Sequence, residues 1–204
     1  MISLEKEINE IGEWLGAGTL NFFGRQFAGK DHMAERLGSH LGVEKISGGD
    51  IMRSAAVPDD VRAVMDNGEL SPTDIYRLTV LPFLAQTALE GKPLLLSAVG
   101  RMKGEEGAVL VTAEESGHPI MAVPYLNITE DEAFRRLVAS PSRGRADDTP
   151  QGLRKRLDEF NNSTTLVLQT YESRGLVVHI DGMPPKDVVF SGLIHALHER
   201  ATLS

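Results

Sequence analysis

Apolar residues return every three or four positions between residues 3 and 15. Leu4, Ile8, Ile11 and Leu15 share one side of a helical wheel, with Glu5, Lys6, Asn9, Glu10 and Glu13 elsewhere. The pattern predicts an amphipathic helix, broken by Gly16-Ala17-Gly18. A different pattern then sets in. Short, continuous apolar runs at Leu20 to Phe23, Val43 to Ile46, Pro93 to Ser97, Ile120 to Val123 and Leu176 to Ile180 read as buried strands. Helical patterns separate them. One runs from Met33 to Leu41 and stops at Gly42. Another starts at Ser71-Pro72-Thr73-Asp74, with a capping hydroxyl, a proline in the first turn and an acidic residue facing the dipole. It is expected to continue through Ile75, Leu78, Leu81 and Leu84 to Gly91, kinked at Pro82. Further helices are predicted over 104–116, 130–139 and 150–173. The last begins at Thr149-Pro150 and carries Leu153, Leu157, Phe160, Thr164, Val167 and Tyr171 at a coiled-coil-like interval.

Strands alternating with helices predict an α/β fold, a three-layer α/β/α arrangement around a parallel sheet of about five strands. Ligands of such sheets sit beyond the carboxyl ends of the strands. The turn at 24–30, Asp50 after the second strand, and Ser97 to Arg101 after the third are therefore expected to face one crevice.

The 204-residue chain, 41% hydrophobic and 25% charged, is long enough for one sizeable domain. Its formal net charge of -8 argues against a general nucleic-acid-binding surface. Arginines nevertheless bunch at 135, 136, 143, 145, 154 and 156, so an anionic ligand would be held by a local cluster. No apolar run reaches the roughly 18 residues of a membrane span, and the N-terminus lacks a signal-peptide profile, so a cytoplasmic address is expected. Cysteine is absent, which removes disulfides, thiol nucleophiles and cysteine-bound zinc. The apolar stripe of the first helix is expected to pack on its own domain, giving a monomer, with a dimer contact as the alternative.

The most informative segment is Gly24-Arg25-Gln26-Phe27-Ala28-Gly29-Lys30, between the first strand and the helix that follows. Glycines at its first and sixth positions allow a turn whose N–H groups surround an anion at a helix N-terminus, and Lys30 adds a mobile cation. This is the pattern of a phosphate-binding loop. The same letters also suit an ordinary strand–turn–helix with a surface lysine, because Asp31 and His32 follow where a Ser or Thr would strengthen the motif.

Four further segments carry a family resemblance. Ser47-Gly48-Gly49-Asp50-Ile51-Met52-Arg53 resembles S-T-G-D-x-L-R, and Met65-Asp66-Asn67-Gly68-Glu69-Leu70 resembles M-D-x-G-x-L. Leu94 to Arg101 stands where L-L-D-G-F-P-R is found, and Arg145-Ala146-Asp147-Asp148 with Arg154-Lys155-Arg156-Leu157 is close to R-x-D-D…R-K-R-L. In this order they resemble the adenylate kinases, or more broadly the P-loop nucleoside monophosphate kinases.

The resemblance implies transfer of the γ-phosphoryl group of ATP to a nucleoside monophosphate, AMP by default, with Mg²⁺. It implies a helix at 1–17 added to a kinase domain at 18–204, with an acceptor-binding arm at about 47–76 and a short lid at about 140–149. Gly24, Arg25, Gln26, Phe27, Ala28, Gly29, Lys30, Asp31 and His32 would hold the donor phosphates, and Arg136 would lie against the donor base. Arg53 and Arg101 would hold the acceptor phosphate, with Gly48 and Glu105 at its base. Arg145 and Arg156 would close over the transferring group, and Asp50 would orient Mg²⁺ through bound water.

Three positions depart from the family pattern. Phe27 stands where a glycine is usual, His32 replaces a hydroxyl residue, and Ser97 replaces an aspartate. They leave two other readings open: a nucleotide-binding relative without turnover, and a kinase for a different small acceptor.

Overall fold

The structure, a computed structural model, describes residues 3–54, 59–66, 73–86, 89–139 and 148–203, with the side chains of Arg53, Ser54, Val61, Val64 and Met65 excepted. Strands β1 (Thr19–Gly24), β2 (Lys45–Ile46), β3 (Leu94–Ser97), β4 (Ile120–Asn127) and β5 (Val177–Asp181) form one sheet in the order β2-β3-β1-β4-β5. Every pairing is parallel. β1, in the middle and covered on both faces, is buried at each position. Its alternation divides the core. Leu20 and Phe22 join the cluster on one face and Phe23 joins the cluster on the other.

Helices α1 (Leu4–Leu15), α2 (Lys30–Leu41), α7 (Glu130–Ala139), α8 (Pro150–Glu159) and α10 (Lys186–Thr202) supply the first cluster. Helices α3 (Gly48–Ser54), α5 (Thr73–Leu84), α6 (Glu105–Glu115) and α9 (Thr165–Ser173) supply the second, and α4 (Asp59–Asp66) lies between α3 and α5 in the chain. The result is the expected three-layer α/β/α arrangement.

The N-terminal helix is capped by the Ser3 hydroxyl, which accepts from the Lys6 N–H at 3.3 Å. Ile8, Ile11 and Leu15 are buried in the first core cluster, with α10 and α2 against the helix. Glu10 Oε2 also meets His198 Nε2 at 2.5 Å.

Two helices differ from their sequence patterns. α5 stops at Leu84, two residues after Pro82, where the chain tightens into Ala85 N–H to Pro82 O and Gln86 N–H to Phe83 O bonds. Its buried face is Tyr76, Val80 and Leu84, while Leu78 is exposed. The capping residues Ser71 and Pro72 lie outside the described residues. The long helix predicted over 150–173 starts as expected, with the Thr149 hydroxyl accepting from the Gly152 N–H at 3.0 Å. A π-helical turn, Phe160–Thr164, then separates α8 from α9. Hydroxyl groups account for the widening: Thr165 Oγ1 donates back to the Phe160 carbonyl, and Ser163 Oγ and Thr164 Oγ1 donate to the Arg101 carbonyl. The stripe from Leu153 to Tyr171 stays buried throughout.

Candidate functional site

All five strands run the same way, so their carboxyl ends meet along one edge, where the loop at 24–30, Asp50 and Ser97 are gathered. β1 ends at Gly24, where a Cβ would stand 2.8 Å from the Leu126 carbonyl oxygen of β4. The loop then turns through two left-handed residues, Phe27 at φ 64° and Gly29 at φ 91°. Phe27 therefore adopts a conformation that suits glycine. The ring packs beside the first core cluster. Ala28 N–H donates to the Arg25 carbonyl at 3.1 Å, and Lys30 opens α2.

Arg25 points sideways. Its guanidinium donates to Ile128 O (3.0 Å), Asn127 Oδ1 (3.3 Å) and Asn161 Oδ1 (3.4 Å), and lies 5.1 Å from the Phe160 ring centre. This ties the loop to β4 and to the π-helical turn. It also borders an open cleft of about 560 Å³ that Asn127, Thr129, Glu130, His179 and Asp181 help to line.

The residues after the lysine form a tight polar knot. Asp31 Oδ1 accepts from Ser97 Oγ at 2.9 Å and from Lys45 Nζ at 3.2 Å, while Asp31 Oδ2 lies 3.5 Å from Lys30 Nζ. Lys45 also reaches Glu35 at 3.2 Å and Asp50 at 3.9 Å. Desolvation in the crevice pushes the Asp31 pKa upward. The ammonium groups of Lys30 and Lys45 and the Ser97 hydroxyl outweigh it and hold the carboxyl well below the usual range. His32, one residue on, is exposed.

After β3, buried Asn21 pins the chain: its side chain donates to Val99 O at 2.8 Å and accepts from Val99 N–H at 3.0 Å. The next amide, Gly100 N–H, donates to the Tyr76 hydroxyl at 2.9 Å. This fixes the backbone that carries Arg101, whose carbonyl is held from the other side by Ser163 and Thr164. Glu105 is buried, its carboxylate accepting from Met102 N–H at 3.0 Å. Burial raises its pKa against the pull of that N–H and of Arg101 and Arg77.

Arg136 is a strap over the loop. It donates to Phe27 O (3.1 Å), Gly182 O (2.7 Å), Met183 O (3.3 Å) and Glu132 Oε1 (2.6 Å). Hydrogen bonds from Arg135 and Arg136 outweigh desolvation at Glu132 and lower its pKa to about 2. Arg156 is buried in α8, with Asp148 Oδ1 at 3.2 Å and the Gly152 carbonyl at 3.3 Å. Arg145 and residues 140–147 of the expected lid lie outside the described residues, as does the side chain of Arg53.

The structure thus brings together Lys30, Asp31, Asp50 and Ser97, and straps Arg136 to the same loop. Lys45, Glu132 and Tyr76 were missed by sequence reasoning. Lys45 sits two residues before the matched segment 47–53, and a lysine inside a predicted strand is its only sequence signal.

A G-x-x-x-x-G-K bend between the central strand and the next helix, at the carboxyl edge of a parallel five-stranded sheet, is the arrangement of a P-loop protein. The comparisons agree. A family profile described as "AAA domain" matches residues 27–154. The adenylate kinase of Micrococcus luteus is 33% identical over 177 residues, covering 84% of this chain and 86% of that protein. That of Thermus thermophilus is 30% identical over 183 residues, covering 86% and 95%. That of Synechococcus sp. (strain WH7803) is 31% identical over 179 residues, covering 85% and 95%. The chain belongs to the adenylate kinase-like family of P-loop nucleotide kinases. Among the described residues, no helix is long and apolar enough to cross a membrane.

Proposed function

We propose that this protein transfers the γ-phosphoryl group of ATP to a nucleoside monophosphate, with AMP as the default acceptor. The observation that supports the reading is the loop conformation: Phe27 and Gly29 are both left-handed in a turn that leads into the N-terminus of α2, where an anion would be favoured. Phosphoryl transfer asks for positioning and positive charge more than covalent help. The loop amides of residues 24–32 and Lys30 would hold the donor phosphates. Arg136, already bonded to the loop and to Gly182 and Met183, would lie against the donor base.

Arg53 and Arg101 would clasp the acceptor phosphate within the arm at 47–76, with Gly48 and Glu105 lining the base. Arg145 and Arg156 would close over the transferring group beneath the lid at 140–149, excluding water as a competing acceptor. Arginine suits these tasks through its planar fork of donors. The hard oxygen groups of Asp31, Asp50 and Ser97 fit a hydrated Mg²⁺, which keeps several waters and takes few protein ligands. When bound, the ion would neutralise charge on the phosphates. Asp31, Asp50 and Ser97 would orient its water shell.

A second reading, nucleotide binding without turnover, is favoured by one contact: Asp31 places an internal carboxylate 3.5 Å from Lys30 Nζ, the group expected to meet phosphate. Incubation with ATP, Mg²⁺ and AMP, CMP, UMP, GMP or dAMP separates the two. Diphosphate formed from at least one acceptor supports transfer. Nucleotide binding with no product from any acceptor supports the second reading.

A further inference from the structure

A π-helical turn is rare, and where one breaks into an α-helix it often marks a functional site. The turn Phe160–Thr164 lies where three elements with candidate phosphate-handling residues come together. At its first end the Phe160 N–H donates to the Arg156 carbonyl, and the Phe160 ring centre is 5.1 Å from the Arg25 guanidinium of the loop. Asn161 follows. Its Oδ1 accepts from Arg25 at 3.4 Å and its Nδ2 donates to Glu130 Oε1 at 2.8 Å, while Arg154 holds Glu130 Oε2 at 3.2 Å. At the far end Thr164 Oγ1 and Ser163 Oγ donate to the Arg101 carbonyl at 3.3 and 3.4 Å, and Ser163 Oγ accepts from Lys103 N–H at 3.1 Å.

Hydroxyls inside a helix ordinarily bond back to a carbonyl of their own helix. Thr165 does so, reaching the Phe160 carbonyl at 3.1 Å. Ser163 and Thr164 reach across the fold instead, to the loop after β3. Thr164 is buried, so its hydroxyl depends on the Arg101 carbonyl for a partner. Five consecutive residues are thus bonded at one end to the side chain of Arg25 and at the other to the backbone of Arg101.

We propose that the π-helical turn couples the two nucleotide sites, so that a donor held by the loop at 24–30 tightens binding of the acceptor phosphate at Arg101. The inference rests on the nucleotide reading above and adds to it a route between the sites. Phosphates in the loop restrain its backbone and with it Arg25, Arg25 restrains Asp-free Asn161, and the turn then presents the Arg101 backbone already ordered. An acceptor that binds afterwards loses less conformational freedom. By linkage the acceptor tightens donor binding by the same factor. Asn161 and Thr164 are positioning residues, acting through Arg25 and Arg101.

The test is calorimetry on the full chain, with Mg²⁺ in every solution and no turnover. The donor probe is the non-hydrolysable imido analogue of ATP, and the acceptor probe is AMP or the monophosphate that the acceptor panel selects. The wild-type protein should bind the acceptor about 5–150-fold more tightly when the analogue is saturating. Asn161→Ala, at the exposed donor end of the turn, should leave the affinity for the acceptor alone unchanged while that ratio falls to near unity. Thr164→Val, at the buried acceptor end, should leave the affinity for the analogue alone unchanged with the same fall in the ratio. Thr164→Ser, which keeps the hydroxyl, should retain it. Thermal melts in parallel show that each variant is folded, and Asn161→Ala keeps the test open if Thr164→Val does not fold. A merely structural turn would change single affinities or melting temperatures and leave the ratio intact, and that outcome overturns the proposal. So does a wild-type ratio of unity. Binding of the analogue but of no monophosphate overturns it too, and leaves nucleotide binding standing. Failure of the wild-type protein to bind the analogue would instead remove the nucleotide reading itself, and this inference with it.

Discussion

The hydroxyl of Tyr76 occupies the space that a side chain at Gly48 would enter: a Cβ at position 48 would stand 2.7 Å from the Tyr76 oxygen and 3.3 Å from the Ala98 carbonyl. That oxygen accepts from Gly100 N–H at 2.9 Å. The glycine and the tyrosine are thus a matched pair that braces α3, α5 and the loop after β3. Gly48→Thr should therefore destabilise the fold by about 1–3 kcal/mol through overpacking. Tyr76→Phe should cost about 1–3 kcal/mol through the orphaned Gly100 amide. Because both act on one small volume, the double variant should be more stable than the sum of the two predicts, by about 0.5–3 kcal/mol. Urea unfolding of the four proteins measures the coupling, and strict additivity would contradict the pairing.

Phe27 makes a sign prediction. At an ordinary position glycine is less stable than alanine, by about 0.5–1 kcal/mol inside a regular element. At φ 64° the order should reverse. Phe27→Gly and Phe27→Ala both lose the packing of the ring, but only alanine retains the left-handed penalty of about 1–2 kcal/mol. Thermal unfolding should therefore rank Phe27→Gly above Phe27→Ala, and the opposite ranking would show that the loop does not hold this conformation in solution.

The fold was legible because its signals are local. Each buried run announces a strand, and alternation with amphipathic segments fixes the layers and the ligand edge. Gly24 and Lys30 were readable for the same reason, lying side by side in a strand-to-helix turn. Contacts across the sheet were not readable. Ser97 and Asp31 are unrelated positions in the sequence until β1 and β3 are aligned, with Phe22 beside Ser97 in the register. Only then does the pair become one polar contact. Tyr76 lies off the helical stripe of Ile75, Leu78, Leu81 and Leu84, and that periodicity does not tell which face of α5 meets the sheet. Arg25 belongs to the phosphate-loop pattern by sequence, yet its side chain ties the loop to Ile128 and Asn161. No sequence pattern marks that choice of partner. The π-helical turn at Phe160–Thr164 depends on hydroxyls meeting the Arg101 carbonyl across the fold.

Glu132 gives the Arg136 strap a defined acid limit. Its carboxyl, with a pKa of about 2 instead of the ordinary 4.5, is more acidic in the folded chain than in the unfolded one. The stabilisation it provides is therefore complete above about pH 4.5 and fades as the pH falls towards 2. Glu132→Gln should lower the melting temperature at neutral pH. The gap between variant and wild type should narrow through that acid window and should stay constant from pH 5 upward. A gap that persisted unchanged at pH 2 would show that the charge of Glu132 contributes nothing to the strap.

The N-terminal helix supplies the remaining prediction, because its stripe has a partner within the chain. Ile11 is fully buried in the cluster formed with α2 and α10, so Ile11→Ala should cost about 2–5 kcal/mol, the range for emptying a packed core site. If α1 works as part of this domain, the variant and the wild type should have the same molar mass by light scattering at matched concentration, and only the unfolding midpoint should shift. A helix that instead served as an interface between two copies would give the reverse: a change of molar mass on substitution, and a stability that rose with protein concentration. The Glu10–His198 contact provides an independent control on the same helix. Glu10→Gln should loosen the α1–α10 contact without emptying the core, and its effect on the midpoint should be smaller than that of Ile11→Ala.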